Sequence, residues 1–251
     1  MQFFILIPAA LLVGLTMGLL GSGGSILTLP MLVYLLGLDE KLAIASSLAI
    51  VGLIALLTSL WNMRTSTIHW YSVIWFGIPG VFGTYGGAAI SEFTSGTVQL
   101  MVFAGVMLLS AVSMFKPPNL QPEGGRQKVW IVVLEGLVIG GLTGFVGVGG
   151  GFMIVPALVL LGGLSMSVAV ATSLVIIAVK SAAGFIKYLD LLRDLQLSVD
   201  WTLITLFAAI GMVGSLIGQM LVKKIPQRQA EQVFAVFLVL ISGWILSQTV
   251  W

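Results

Sequence analysis

The chain has 251 residues, of which 59% are hydrophobic and 8% charged, with a formal net charge of +2, no cysteine and one histidine. Soluble globular domains carry about a quarter charged residues, so this composition excludes that class and predicts an integral membrane protein. Without cysteine there can be no thiolate metal site or iron–sulfur cluster, and one histidine cannot supply a bis-histidine haem, so we expect no cofactor and no metal.

Ten apolar segments follow one another along the chain, and most have the length of a membrane-spanning helix. They cover approximately residues 3–20, 25–37, 42–61, 70–90, 98–115, 129–146, 152–163, 168–187, 200–222 and 230–250. The second and the seventh would form only about 18–20 Å of helix, against a hydrocarbon core of about 30 Å. We therefore predict an all-α membrane protein in which these two segments are short or broken helices after glycine-rich stretches.

The second half of the chain repeats the first. At an offset of 126 residues, 15 of the 35 positions of 14–48 are identical to those of 140–174. The polar connector 116–128 is rich in proline and glycine, which is typical of a linker. We therefore divide the chain into a membrane repeat over 1–115, an inter-repeat linker over 116–128 and a second membrane repeat over 129–251.

The relative orientation of the repeats depends on whether the short segments cross the membrane. If all ten cross, seven basic residues collect on one face and three on the other, which makes the first face cytoplasmic and places both termini outside. Each repeat then has an odd number of crossings, so the halves are inverted. If the short segments enter and return, the repeats are parallel and the bias falls to six against four. We favour the inverted arrangement, with the lipid bilayer rather than nucleic acid as the partner of the basic residues.

Two glycine-rich stretches, 21–30 and 147–156, occupy matching positions in the two repeats. Such stretches free backbone N–H groups and open onto the positive end of a helix dipole, which suits an anionic ligand at membrane depth. The same glycines can instead serve close helix crossing. Their duplication, each with a helix-breaking proline at Pro30 or Pro156, favours a binding site. We expect the two stretches to meet near the midplane and to line one polar cavity.

A second duplicated polar pair follows, with Ser46 and Ser47 in the first repeat and Thr172 and Ser173 in the second. Their hydroxyl groups can ligate a substrate oxygen. They can equally bond to a carbonyl of their own helix, which is the usual outcome for serine and threonine in apolar helices.

Lys180 and Glu135 are the charged residues predicted to lie at membrane depth, in the eighth and sixth segments. A charge at that depth is costly and by default functional. Three interpretations remain open: a structural ion pair, an anion-binding lysine with a proton-coupling carboxylate, or side chains that extend toward the membrane surface.

These paired glycine stretches, the paired hydroxyl residues, the glycine-rich fourth and ninth segments and the length resemble the TauE/SafE family of sulfite exporters over essentially the whole chain. The resemblance implies a secondary transporter of the bacterial inner membrane that moves a small anion, such as sulfite, thiosulfate or an organosulfonate. We expect no enzyme activity, and Glu135 is the candidate residue for proton coupling. A carrier of another small solute and a non-transporting scaffold subunit are the alternatives. The residues that the resemblance assigns to the substrate region are Gly21, Ser22, Gly23, Gly24, Pro30, Ser46, Ser47, Gly147, Gly149, Gly150, Gly151, Pro156, Thr172 and Ser173.

Overall fold

The computed structural model describes residues 2–21, 23–65, 68–115, 129–147, 151–222 and 227–250, and within these ranges it contains helices and no strand. The helices are α1 (Gln2–Leu20), α2 (Gly23–Pro30, continued by a π-helical turn over Met31–Leu35), α3 (Glu40–Thr65), α4 (Trp70–Ser72, Val73–Gly77 and Ile78–Ile90 in succession), α5 (Gly96–Phe115), α6 (Val129–Val146), α7 (Gly151–Pro156, continued by a π-helical turn over Ala157–Leu161), α8 (Met166–Asp194), α9 (Trp201–Val222) and α10 (Gln227–Val250). A 3₁₀ turn, Ser91–Phe93, follows α4. The proposed linker 116–128 lies outside the described residues.

The prediction of an all-α membrane protein is confirmed. By length and composition, five helical spans in the described part of the chain are able to cross a membrane, namely Glu40–Arg64, Trp70–Phe93, Val129–Val146, Ser167–Asp194 and Trp201–Leu221. Shorter apolar helices cover Leu6–Leu20, Gly24–Leu35, Gly96–Val112 and Ala235–Gln248. As the sequence predicts, α2 and α7 are the short helices, since neither reaches the roughly 20 residues that a bilayer core requires.

Helices of the first half pair mainly with helices of the second half. Helix α1 packs against α9, and α6, which occupies the same place in the second repeat, packs against α4. Helices α3 and α8 pack against each other, as do α5 and α10, and α2 touches α7. The two halves are therefore interlocked rather than side by side.

Glycine allows the α1–α9 crossing to bring two backbones into contact. A Cβ atom added to Gly14 would overlap the carbonyl oxygen of Gly211, and one added to Gly18 would overlap the carbonyl oxygen of Ser215. In lipid, such close packing replaces the hydrophobic driving force that water provides. The contact of Gly14 with Gly211 is followed four residues later by that of Gly18 with Ser215. Residue numbers rise together along the two helices, so α1 and α9 run in the same general direction.

The α4–α6 crossing repeats this geometry in the other half. A Cβ atom on Gly140 would overlap the carbonyl oxygen of Gly80, and one on Gly144 would overlap that of Thr84. Gly140 and Gly144 stand 126 residues after the two glycines of α1, and Gly80 and Thr84 stand 131 residues before their counterparts in α9. The duplication seen in the sequence is therefore also a duplication of contacts.

The central pair, α3 and α8, shows the opposite order of contacts. The Cβ position of Gly52 lies 3.1 Å from Cβ of Ser181, whereas the Cβ position of Gly184 lies 3.3 Å from a methyl carbon of Leu48. Residue numbers thus fall along α3 while they rise along α8. These two equivalent helices run in opposite directions where they touch.

Candidate functional site

The first helix of each half ends in a left-handed glycine. Gly21 follows α1 with φ of 71°, and Gly147 follows α6 with φ of 74°. The N–H group of Gly147 donates to the carbonyl oxygen of Thr143 at 2.8 Å, which closes the helix end. Residues with a side chain rarely adopt this φ, so both positions require glycine for the chain to turn into the glycine-rich stretch.

A serine from the opposite half holds each of these glycines. The hydroxyl group of Ser47 lies 2.8 Å from the carbonyl oxygen of Gly147, and that of Ser173 lies 3.3 Å from the carbonyl oxygen of Gly21. Each hydroxyl proton is shared with a carbonyl oxygen three residues earlier in its own helix, also 2.8 Å away. We call these two contacts the serine clamps. They bring residues that the sequence assigned to one site into contact across the repeats.

Packing at the clamps is tight and nearly symmetrical. A Cβ atom on Gly21 would lie 2.9 Å from Cα of Val170 at the start of α8, and one on Gly147 would overlap a methyl group of Ile44 at the start of α3. Val170 stands 126 residues after Ile44. The end of each first helix is therefore seated on the start of the third helix of the other half.

The remaining predicted residues around the clamps are placed as follows. Gly23 begins α2, Gly24 is buried within it, Gly151 begins α7, and Pro30 and Pro156 end the α-helical parts of α2 and α7. The chain does not stop at either proline, since a π-helical turn continues each helix. Ser22, Gly149 and Gly150 lie outside the described residues.

Ser46 and Thr172 are buried next to the clamp serines. The backbone N–H group of His69 donates to the hydroxyl oxygen of Thr172 at 3.0 Å, and the His69 ring lies 2.9 Å from the hydroxyl group of Ser72. This histidine therefore ties the start of α4 to the start of α8. The sequence alone gave no sign of that connection, because the two residues are far apart in the chain.

Lys180 is fully buried, with an exposed fraction of 0%. Its Cδ and Cε atoms lie 3.1 and 3.3 Å from the Cβ position of Gly80, so the aliphatic stem fills the space that this glycine leaves. The ammonium group lies 6.0 Å from the ring centre of Phe76 and has no hydrogen-bond partner in the described structure. Lys180 stands seven residues after Ser173, about 10 Å along the helix axis.

Glu135 is partly buried on α6 and does not pair with Lys180. The ion pairs among the described residues are Lys187 with Glu92, at 2.6 Å, and a contact of Arg193 with a residue of its own helix. The structure thus gives no support to the ion-pair interpretation of Lys180, nor to an extended lysine that reaches the membrane surface.

Sequence reasoning missed a second set of buried polar residues, at the contact between α3 and α9. Thr58 and Asn62 on α3, with Ser215 and Gln219 on α9, each have a buried side-chain polar atom without a described hydrogen-bond partner. We call this contact the amide seam, and the contact of α4 with α8 around Lys180 the lysine seam. The available signal was the spacing of four residues within each pair, which places both members on one helix face.

A fully bonded polar cluster lies at the end of the lysine seam. The amide nitrogen of Gln99 donates to the hydroxyl oxygen of Tyr188 at 2.8 Å and to the carbonyl oxygen of Phe145. The ammonium group of Lys41 donates to the Gln99 amide oxygen at 2.5 Å and to the carbonyl oxygen of Ser91 at 2.7 Å. This cluster joins α3, α5, α6 and α8 at one end of the molecule.

The chain is similar to several proteins described as probable membrane transporter proteins. A relative in Xylella fastidiosa (strain 9a5c) is 28% identical over 94% of this chain and 91% of its own length. One in Bacillus subtilis (strain 168), YunE, is 25% identical over 96% of both chains, and one in Methanocaldococcus jannaschii is 29% identical over 75% of this chain and 74% of its own. No solved structure matches the chain.

The family match covers nearly the whole molecule, from residue 6 to residue 245, and its description is "Sulfite exporter TauE/SafE". It includes both serine clamps and both seams. Its members are membrane transporters and not enzymes. The chain therefore belongs to the TauE/SafE sulfite exporter family and is a multi-pass membrane transporter.

Proposed function

We propose that this transporter moves sulfite or a related sulfur-containing anion, such as an organosulfonate or thiosulfate, across the bacterial inner membrane. The observation that carries the proposal is the buried ammonium group of Lys180, which has no described partner. A cation at membrane depth costs about 2.5–3.5 kcal/mol on insertion scales, and an anion that approaches it recovers part of that cost. The family description names sulfite, which makes sulfite the first substrate to test.

The substrate region of this proposal combines the serine clamps with Lys180. The clamps hold the starts of α3 and α8 against the glycine-rich stretches, where Ser46 and Thr172 are buried beside them. Backbone N–H groups at glycine-rich turns favour anions. Lys180, about two helical turns farther along α8, attracts the anion along the path and raises its local concentration.

We further propose that the two repeats are inverted in the membrane, with both termini outside the cytoplasm. The opposite directions of α3 and α8 at their contact support this arrangement, since parallel repeats would make equivalent helices run the same way. The excess of basic residues on one face supports the orientation. Cysteine accessibility at residue 2 and at residue 250, measured from each side of intact cells, tests it.

Proton coupling is the proposed role of Glu135, the charged residue of α6. A carboxyl group that binds a proton on one side and releases it on the other can couple anion movement to pH. We expect Glu135→Gln to retain transport in exchange mode while it loses the dependence of flux on a pH gradient. An unchanged pH dependence in this variant would remove Glu135 from the coupling mechanism.

The decisive experiment is flux in proteoliposomes with sulfite, thiosulfate, sulfate and organosulfonates. We expect Lys180→Met to lower sulfite flux at least tenfold at equal protein incorporation. Lys187→Met is the matched control, because Lys187 lies on the same helix but is partly exposed and paired with Glu92 at 2.6 Å. Wild-type flux in Lys180→Met would contradict the assignment of this lysine, and transport of a neutral solute instead of these anions would contradict the substrate class.

A further inference from the structure

We propose that the amide seam, formed by Thr58, Asn62, Ser215 and Gln219, is a binding site for a monovalent cation of the sodium type. Cation binding is inferred from the residues of the amide seam alone. Co-transport of the cation with the anion rests on the proposed function.

The first observation is that each of the four residues has a buried polar atom without a described partner, although Gln219 as a whole is only partly buried. Thr58 and Ser215 have exposed fractions of 0%, and Asn62 has 2%, although its neighbours Trp61 and Met63 are 52% and 50% exposed. Asn62 therefore points into the protein near the end of α3, while the residues on either side of it point outward. Its amide oxygen, both hydroxyl oxygens and the amide nitrogen of Gln219 lack a described partner.

The second observation is the register between α3 and α9. The side chain of Ile54 fills the space in front of Gly211, with its Cγ1 atom 3.1 Å from the Cβ position of that glycine. Thr58 lies four residues after Ile54 on α3, and Ser215 lies four residues after Gly211 on α9. Asn62 and Gln219 follow after another four residues, on the same faces of the two helices. The four polar groups thus succeed each other along one helix–helix contact.

The lysine seam supports this register through its own contacts. There, Lys180 lies against Gly80, and four residues later the Cβ position of Gly184 lies 3.1 Å from a methyl carbon of Thr84. These residues are the counterparts of Ile54, Gly211, Thr58 and Ser215 at the offsets of 126 and 131. The contact of Thr58 with Ser215 follows from the same helix pairing in the other half.

Among the described residues, the buried hydroxyl groups without a hydrogen-bond partner are those of Thr58, Ser215 and Ser181, the last of which follows Lys180 on α8. Ser242, also fully buried, donates to a carbonyl oxygen of its own helix at 3.0 Å, and Thr84, the counterpart of Ser215, donates to the carbonyl oxygen of Gly80 at 2.8 Å. Serine and threonine in apolar helices make such bonds by simple rotation. Thr58 and Ser215 do not, so their oxygens remain available to a ligand.

The chemistry of the seam selects the class of ligand. It offers two hydroxyl oxygens and the amide oxygen of Asn62, and a half-turn of the Gln219 amide would present a fourth oxygen. Uncharged oxygens replace the hydration shell of a monovalent cation, whereas calcium and magnesium sites use carboxylates. Among the described residues, no group of three or more histidine, cysteine, aspartate or glutamate side chains is able to hold a metal ion. The amide oxygen of Asn62 accepts hydrogen bonds and carries a partial negative charge, which favours a cation at this end of the seam.

Cation binding is measured first without transport. We expect the melting temperature of the detergent-purified protein to rise with NaCl and to saturate, relative to choline chloride at equal ionic strength, because a ligand stabilises the state that binds it. Asn62→Leu and Ser215→Ala should raise the half-maximal Na⁺ concentration at least tenfold. Ser242→Ala, the same chemical change at a bonded serine, should leave it unchanged.

If Asn62→Leu does not fold, a variant that adds a negative charge at the same position tests cation binding instead. Asn62→Asp supplies a carboxylate at the same place and should lower the half-maximal Na⁺ concentration about tenfold. An identical response to sodium and choline in the wild-type protein would overturn the proposed site, as would Na⁺ dependence that survives in both Ser215→Ala and Asn62→Leu.

Flux separates this proposal from the proposed function. We expect an inward Na⁺ gradient to accelerate sulfite flux in the wild-type protein and not in Ser215→Ala. Sulfite flux that is indifferent to sodium would overturn coupling while the anion function stands. Saturable Na⁺ stabilisation together with no flux of any sulfur-containing anion would contradict the substrate class and leave the cation site in place.

Discussion

The lysine seam and the amide seam share one backbone arrangement and differ in the side chains that fill it. In the first, Lys180 lies in front of Gly80; in the second, Ile54 lies in front of Gly211. One position therefore carries a buried lysine in one half and a hydrocarbon side chain in the other. The comparison shows that the repeated glycines determine where backbones meet, while the polar chemistry at equivalent positions is free to differ.

The two seams also differ about two helical turns after Lys180 on α8 and Ile54 on α3. Tyr188 in α8 and Asn62 in α3 are counterparts at the offset of 126 residues. The hydroxyl group of Tyr188 is bonded to Gln99 at 2.8 Å, whereas the amide oxygen of Asn62 has no described partner. The lysine seam thus ends in a completed hydrogen-bond network, and the amide seam ends in unsatisfied groups that are costly to bury without a ligand.

The largest effect is expected when a side chain is added to a glycine at the close α1–α9 or α4–α6 crossing, which both halves share. We expect Gly144→Val and its counterpart Gly18→Val to abolish recovery of folded protein alike, because each new Cβ atom would overlap a carbonyl oxygen of the facing helix. The measurement is the yield of monodisperse protein after gel filtration.

Gly105→Val on α5 is the control for this pair, since a Cβ atom there meets no other atom within 4 Å. Normal recovery of Gly18→Val beside loss of Gly144→Val would show that the two crossings are not equivalent in stability.

A smaller effect is expected when the charge difference between the seams is changed. Ile54→Lys should lower the free energy of unfolding by up to about 2.5–3.5 kcal/mol, the cost of a lysine at membrane depth. Lys180→Met should raise it, because an unpaired buried charge is replaced by a side chain of similar length. Thermal melts of both variants in detergent measure the two shifts, and shifts of the same sign would contradict the comparison.

The smallest effect concerns the serine clamps. Ser47→Ala should destabilise the protein by about 1 kcal/mol, the typical net contribution of one hydrogen bond. Ser173→Ala should cost less, because its bond to Gly21 is 3.3 Å long and that of Ser47 to Gly147 is 2.8 Å. Melting temperatures relative to Ser242→Ala measure this order, and a larger loss in Ser173→Ala would reverse it.

Hydropathy and duplication were sufficient to predict most of the fold. The fourth segment, predicted over 70–90, matches α4, and the sixth, predicted over 129–146, matches α6. Apolar length determines a membrane helix almost by itself, because every backbone group must be bonded within it. The π-helical turns after Pro30 and Pro156 were not predictable, since nothing in local composition distinguishes them from ordinary helix.

The pairing of helices across the repeats was also beyond the sequence. The spacing of Gly14 and Gly18 predicts a close crossing but does not say which helix supplies the partner. The amide seam was missed for a different reason. Thr58 and Asn62 have Gly184 and Tyr188 as counterparts, so a search for residues shared by both halves passes over them. A polar site that is present in one repeat and not in the other can be recognised only from the three-dimensional contacts.

The interlocked pairing of α1 with α9 has a consequence for how the protein is made. Gly14 and Gly211 are 197 residues apart in the chain, so at about 5–20 residues per second α1 waits roughly 10–40 s for its partner during synthesis. Over that interval its glycine face is covered by lipid or by the insertion machinery instead of by α9. Neither half completes its own packing, so a ribosome that stalls within the second repeat leaves the first without its closest contact. Of the main helix pairs formed between the two halves, α1 and α9 are the farthest apart in the chain, so the earliest helix waits longest for its partner.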